Sequence, residues 1–115
     1  MSDLNPIESL EIGQLDLRYA HTRIRRPEAL LSLMRSLEQW GQIRPVSVVP
    51  SDAPCHILVD GYLRVEALRR CGKDMVLAEV WLCGEVEALL QVLMRVQERR
   101  WEALEQAHQR ASRAP

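Results

Sequence analysis

The apolar run Ile57-Leu58-Val59 stops at Asp60-Gly61, and a helical spacing, Val65 with Leu68, begins within the next turn. A chain that passes from strand to helix with no loop between them must bend sharply at one residue, and glycine does so without steric cost. Asp60-Gly61 is therefore expected to join a buried strand directly to a helix. The free N–H groups that open such a helix favour an anion such as a phosphate. Arg64, one turn in, sets a guanidinium where it can close over the same anion. Two readings stay open on this segment alone: a phosphate-binding turn, or a glycine that only makes the junction tight. Asp60 reads as the cap of the following helix in preference to a metal ligand. Glu66 reads as a solvent-facing residue or the partner of Arg69 or Arg70, and Tyr62 either stacks on a base or covers the turn.

The rest of the chain alternates in the same way. Leu10, Ile12, Leu15 and Leu17 alternate loosely over residues 8–17, which predicts a first strand interrupted near Gly13. Residues 18–26 form a dense basic loop. Pro27 suits the first position of a helix and Glu28 its positive end. Leu30, Leu33, Met34 and Leu37 then recur at helical spacing, and Gly41 is the stop. Arg44-Pro45 leads into a strand over residues 46–49, and a turn over 50–54 returns the chain into a strand over 55–59, a hairpin. The helix after Gly61 runs to about Cys71, with Val65, Ala67 and Leu68 inward and Gly72 at its end. A strand over residues 75–82 puts Val76, Ala78, Val80 and Leu82 on one face. After Gly84 everything reads as helix, with Val86, Leu89, Leu90, Leu93 and Val96 as the buried stripe.

These elements predict an α+β domain, a small mixed sheet with packed helices and a long C-terminal helix. Residues 1–84 form the core, and residues 85–115 form a helical extension that packs on the core or on a partner. At 115 residues the chain is one domain, and with no Phe its interior falls to Leu, Val and the three Trp. A net charge of −1 excludes a uniformly basic nucleic-acid binder and leaves room for a local basic patch. No apolar run approaches the roughly 20 residues of a membrane helix, and the first residues lack a signal-peptide pattern, so a cytoplasmic protein with no membrane partner is expected. Cys55, Cys71 and Cys83 are odd in number with no C-x-x-C spacing, which points to small, mostly buried thiols and not to a disulfide framework or zinc site.

Three segments together resemble the N-terminal domain of the ParB family, and with it the ParB/sulfiredoxin fold. Residues 37–46, Leu-Glu-Gln-Trp-Gly-Gln-Ile-Arg-Pro-Val, are similar to the family's S-I-x-x-x-G-x-x-Q-P-I segment. Residues 57–68 look like its L-I-x-G-x-R-R-x-x-A segment, and residues 71–76 its L-G-x-x-x-I-P-V exit. The resemblance spans roughly residues 8–107. It implies a nucleotide pocket, in many members for CTP, built from three places. The first is the basic loop, where Arg23 is the candidate with Arg25 beside it. The second is Gly61-Tyr62-Leu63-Arg64, which keeps the glycine and the last arginine, with Tyr62 and Leu63 where the family has a glutamate and another arginine. The third is a later helix, where Gln97 alone is kept. His21 is either a base-orienting residue or a plain surface histidine.

The implied function is a ParB-like module that binds a nucleotide or phosphate at the Asp-Gly turn and acts with DNA in partition, plasmid or mobile-element biology. DNA would be met through another domain or subunit. The alternatives are a Mg²⁺-dependent ParB-like nuclease and an interaction domain with a vestigial pocket. The glutamate that the family has at this turn and the asparagine that it has on the later helix are tied to hydrolysis and metal use, and neither is kept, so CTPase or nuclease chemistry is poorly matched here. The sulfiredoxin branch carries a cysteine at this turn, and this chain does not. Arg95, Arg99 and Arg100 are interleaved with Glu98, Glu102 and Glu105, as on a salt-bridged exposed helix. Trp101 and Leu104 are candidates to dock on a second copy, so the resemblance implies a homodimer through the C-terminal helix.

Overall fold

Residues 46–49 are buried without a break, and so are residues 57–59. Unbroken burial of this kind belongs to central strands covered on both faces. The computed structural model describes residues 5–20, 27–52 and 54–113. The two runs are β3 (Val46–Pro50) and β4 (His56–Asp60), paired antiparallel as the expected hairpin. They sit in a five-stranded mixed sheet with β1 (Ile7–Glu11), β2 (Leu15–Asp16) and β5 (Met75–Val80), in the order β1-β5-β3-β4-β2. β5 runs parallel to β3, with Val46 opposite Ala78 and Val48 opposite Val80. One irregularity of the β3–β4 ladder falls between Ser47 and Val48, beside Asp60.

The two faces of the sheet carry separate cores. On one, Val46, Val48, Leu58, Val76, Ala78 and Val80 pack with Leu30 and Leu37 of α1 (Pro27–Trp40) and with Val65, Ala67 and Leu68 of α2 (Tyr62–Arg70). On the other, Val49, Ile57 and Val59 meet Trp81 and residues Ala88 and Val92 of α3 (Glu85–Arg113). Alternate residues of β4 therefore serve opposite cores, which is why its sequence reads as continuously apolar. This is the α+β architecture expected, including the long C-terminal helix.

Four expectations need correction. The first strand is two strands. β1 (Ile7–Glu11) pairs with β5 at one edge of the sheet, and β2 (Leu15–Asp16) pairs with β4 at the other. A 3-10 turn over Ile12–Gln14 carries the chain across, pinned by the Ile12 N–H donating to the Asp74 carbonyl at 2.8 Å. Next, β5 ends at Val80, so alternation stops before Leu82. Leu82 is 73% exposed, and Trp81 fills the second core, its indole N–H donating to Glu79. Third, the stripe assigned to α3 is mostly outward. Val86, Leu90 and Leu93 are exposed, Val96 is at the margin of exposure, Leu89 is partly buried, and the packed face is Ala88 with Val92. The periodicity was that of a helix with two apolar faces, and the smaller side chains took the sheet. Finally, Cys55 is exposed and Cys71 and Cys83 are half-buried, all three being free thiols.

Candidate anion-binding site

Gly61 has φ 102°, beyond the range that L side chains adopt readily. A Cβ built on it would lie 2.6 Å from Val46 Cγ1, 2.8 Å from Val46 Cβ and 3.2 Å from Val46 Cα. Val46 is fully buried and has nowhere to move. The turn therefore rests directly on the first residue of β3, and only glycine satisfies both the backbone angle and the contact. This close approach sets the start of α2 against the segment that enters β3.

Asp60 does not cap α2. Its Oδ1 accepts the N–H of the adjacent Gly61 at 3.1 Å, which tightens the turn, and the N-cap position is Gly61 itself. The helix begins without a side-chain cap. Its ladder opens with the Val65 N–H donating to the Gly61 carbonyl at 3.0 Å. Among the described residues no acceptor lies on the Leu63 or Arg64 N–H. First-turn N–H groups in this state are an anion site in waiting.

Arg64 is half-buried and makes no ion pair or side-chain hydrogen bond among the described residues. Burial, and then repulsion from Arg44, push its guanidinium below the usual value, with Asp60 opposing. Two guanidiniums that repel one another, one of them partly desolvated, are a place where an anion is stabilised. Arg44 was not singled out in the sequence. The only signal was its place just before Pro45 and the strand, because nothing in the sequence says that Gly61 lands on Val46.

Gln42 fixes Arg44. Its Oε1 accepts the Leu77 N–H at 2.7 Å, and its Nε2 donates to the Leu77 carbonyl and to the Arg44 carbonyl, both at 2.9 Å. Leu77 immediately precedes Ala78, the partner of Val46. The Gln42 amide thus continues the β3–β5 ladder past the end of β3 and holds the Arg44 backbone there.

Tyr62 covers the turn. Its hydroxyl donates to the Leu58 carbonyl at 2.7 Å and accepts the Tyr19 N–H at 3.2 Å. Tyr19 in turn donates to Glu85 at the start of α3. Arg18 joins the same carboxylate at 3.2 Å and the Asp16 carboxylate at 2.6 Å. The hydrogen bond from Arg18 holds the Asp16 carboxyl below its usual range, and the bond to Glu85 holds the Tyr19 phenol above its own. This network ties the end of β2, α2 and α3 together through the first residues of the basic loop. His21, Arg23 and Arg25 lie outside the described residues. Gln97 is exposed, on the side of α3 opposite Ala88 and Val92. Glu66 pairs with Arg70 at 3.0 Å on the exposed side of α2, a contact worth about 0.3–0.5 kcal/mol. Arg95 lies over the Trp81 ring, 4.7 Å from its centre.

The carboxylates near the turn do not suit a resident Mg²⁺. Asp60 has one oxygen on the Gly61 N–H, Glu66 is held by Arg70, and no three His, Cys, Asp or Glu side chains converge among the described residues. A surface cavity of about 880 Å³ lies at the other end of α2, beside Arg69, Gly72 and Lys73. It has none of the groups just described.

No protein-family model matches the sequence, and no curated protein matches it. Solved structures do. Sulfiredoxin from Arabidopsis thaliana is similar at TM-score 0.65 and 24% identity, over 76% of this chain and 97% of that one. The C-terminally truncated chromosome-partitioning protein ParB from Caulobacter crescentus, complexed with CTP-γ-S, is similar at TM-score 0.66 and 25% identity. That match covers 80% of this chain and 53% of the ParB chain, so this chain spans about half the length of that relative. A Pnob8-like ParB-N domain is similar at TM-score 0.60 and 20% identity, over 76% of this chain and 34% of that one. This chain is a domain of the ParB/sulfiredoxin fold.

Proposed function

We propose that this domain binds the phosphate groups of a nucleotide at the Gly61 turn, between the first-turn N–H groups of α2 and the guanidiniums of Arg64 and Arg44. Arg23 and Arg25, from the basic loop, would add to the same site. The observation that carries the reading is the half-buried Arg64 in the first turn of a helix that starts without a side-chain cap, with no carboxylate paired to it among the described residues and with the charge of Arg44 opposing its own. A phosphate relieves the repulsion and accepts from the N–H groups together. The likeness to a ParB solved with CTP-γ-S makes CTP the first nucleotide to test, and the likeness to a ParB complexed with the centromeric parS site supports the reading that DNA is a partner. We assign the DNA contact to another domain or subunit, in cytoplasmic partition, plasmid or mobile-element functions. Binding fits the turn better than hydrolysis, because Tyr62 spends its hydroxyl on the Leu58 carbonyl and Leu63 has no polar group.

Calorimetry with CTP, ATP and pyrophosphate tests this on the parent, Arg64→Ala, Arg44→Ala and Arg23→Ala. Loss of a charged hydrogen bond costs about 1.5–3 kcal/mol, so Arg64→Ala weakens binding by roughly 10- to 100-fold. Equal affinity in all four proteins would remove the site from this turn.

A further inference from the structure

β1 forms one edge of the sheet and is exposed along its whole length except at Leu10, which is half-buried. The hydrogen bonds at its two ends fix which way its main chain faces. The Pro6 carbonyl accepts the Val80 N–H, and the Ile12 N–H donates to the Asp74 carbonyl, both at 2.8 Å. Antiparallel pairing alternates, so Glu8 and Leu10 also turn their main-chain groups to β5, and Ile7, Ser9 and Glu11 turn theirs outward. Leu77, opposite Ser9, faces the other way, its N–H and C=O going to the Gln42 amide and not to β1. The N–H and C=O of Ile7 and Ser9, and the N–H of Glu11, have no partner among the described residues.

Edge strands are normally blunted by shortness, a lysine, a proline or a bulge. β2, at the other edge, is two residues long. β1 has five residues in unbroken register with β5 and contains no Lys, Pro or bulge. Its two glutamates repel an acidic strand and admit a basic one. Such an edge is a template for one more strand.

The side chains specify that strand. Residues directly opposite share a face, so Ile7, Ser9 and Glu11 lie with Glu79, Leu77 and Met75, and Glu8 and Leu10 lie on the other face with Ala78 and Val76. Ile7, Leu77 and Met75 are between 41% and 59% exposed, so α3 leaves this corner of the sheet open. Glu8 and Glu11 have no ion pair among the described residues, and neither β1 nor β5 holds a Lys or Arg. An antiparallel added strand, read from its N-terminus, therefore wants a cation opposite Glu11 and an apolar residue against Leu10. Next comes a large apolar side chain reaching across Ser9 to Leu77, then a cation opposite Glu8 and an apolar residue on Ile7. A second copy of β1 in that place would add its own Glu8 and Glu11 to the same pair of strands with no cation to offset them.

We propose that β1 takes up an extended segment of a partner protein as an added strand, the segment being basic at two positions three apart and apolar between and after them. β5 and β3 separate this edge from β4 and the Gly61 turn, so strand addition is independent of the anion site. Fluorescence anisotropy of the full chain with a labelled peptide containing Lys-Val-Leu-Lys-Val is expected to saturate. The peptide with both lysines replaced by glutamate binds roughly tenfold more weakly or worse. Main-chain N-methylation separates strand addition from charge attraction alone. Methylating the leucine, whose N–H faces Ser9, weakens binding roughly tenfold or more, whereas methylating the first valine, whose N–H faces away from β1, changes it by less than about twofold. Ser9→Pro removes an outward N–H that the domain's own ladder does not use, so it keeps the parent's circular dichroism and loses the peptide. Absence of saturation at about 1 mM protein, equal binding of the two methylated peptides, or undiminished binding by Ser9→Pro would each overturn the proposal. So would a parent that dimerises in sedimentation while Ser9→Pro stays monomeric, because the edge would then belong to a second copy.

Discussion

Replacing Gly61 by alanine isolates the contact on which the site is built. Two costs add. A non-glycine residue at φ 102° is strained by about 1–3 kcal/mol. The new Cβ also meets Val46 Cγ1 at 2.6 Å and Val46 Cβ at 2.8 Å, inside a core residue that is 1% exposed, and overpacking of this kind costs about 1–3 kcal/mol. The sum is near 4 kcal/mol, a large part of the ~5–15 kcal/mol that holds a domain folded. Gly72 and Gly41 are internal controls. They have φ 78° and 73° and nothing within 4 Å of a built Cβ, so their alanine variants bear strain alone. Urea unfolding should therefore rank Gly61→Ala well below Gly72→Ala and Gly41→Ala, by at least about 1 kcal/mol. In thermal melts, at roughly 4–8 °C per kcal/mol, Gly61→Ala should lose on the order of 15–30 °C. Adding Val46→Ala removes Cγ1 but leaves Cβ in place, so the pair should show partial rescue, a coupling of about 1 kcal/mol. Equal stability of the Gly61 and Gly72 variants would refute the close approach of the turn to β3.

Other perturbations bear on the supports of the site. Tyr62→Phe removes the donor to Leu58 and the acceptor for Tyr19, and should lower stability in urea by about 1–2 kcal/mol with an unchanged m-value. Gln42→Leu deletes the side-chain rung on Leu77 and frees Arg44, and should cost about 1–2 kcal/mol and weaken nucleotide binding several-fold in calorimetry. For pH, the Asp16 carboxyl is depressed in the folded state by the Arg18 hydrogen bond. Its stabilisation is complete above the unfolded value of 3.8 and is lost as pH falls through the lower folded value, so Asp16→Asn should flatten the acid limb of a melting-temperature profile. The Tyr19 phenol is raised by Glu85, so its contribution is complete below the ordinary 10.0 and is lost as pH climbs through the folded value; Tyr19→Phe should flatten the alkaline limb.

Much of this fold is legible residue by residue. Pro27 and Gly41 bracket α1, the apolar runs of β3 and β4 mark central strands, and the order of segments around Asp60-Gly61 points to the ParB/sulfiredoxin fold. What sequence cannot show is which of two apolar faces a helix turns inward. On α3 the bulky face looked like core, and the small one, Ala88 and Val92, fits against the sheet. Nor can it show where a strand ends: one residue of difference at Val80 exchanges Leu82 for Trp81 in the interior. Within the site, Gly61 and Arg64 stand out by local chemistry. Arg44 and Gln42 do not, because they reach the turn through strand pairing and a contact fifteen residues away along the chain. The carboxylate of Asp60 went to its neighbour's N–H and not to the helix.

The most direct test of the phosphate site is amide nuclear magnetic resonance during titration with CTP and, separately, with pyrophosphate. The N–H groups of residues 61–64 are expected to show the largest saturable shifts with both ligands, and Arg64→Ala should move their saturation to roughly 10- to 100-fold higher ligand while leaving the rest of the spectrum in place. Saturable shifts confined to another surface, such as the cavity beside Arg69 and Lys73, would contradict the account, as would shifts at the turn that saturate in Arg64→Ala at the parent's ligand concentration.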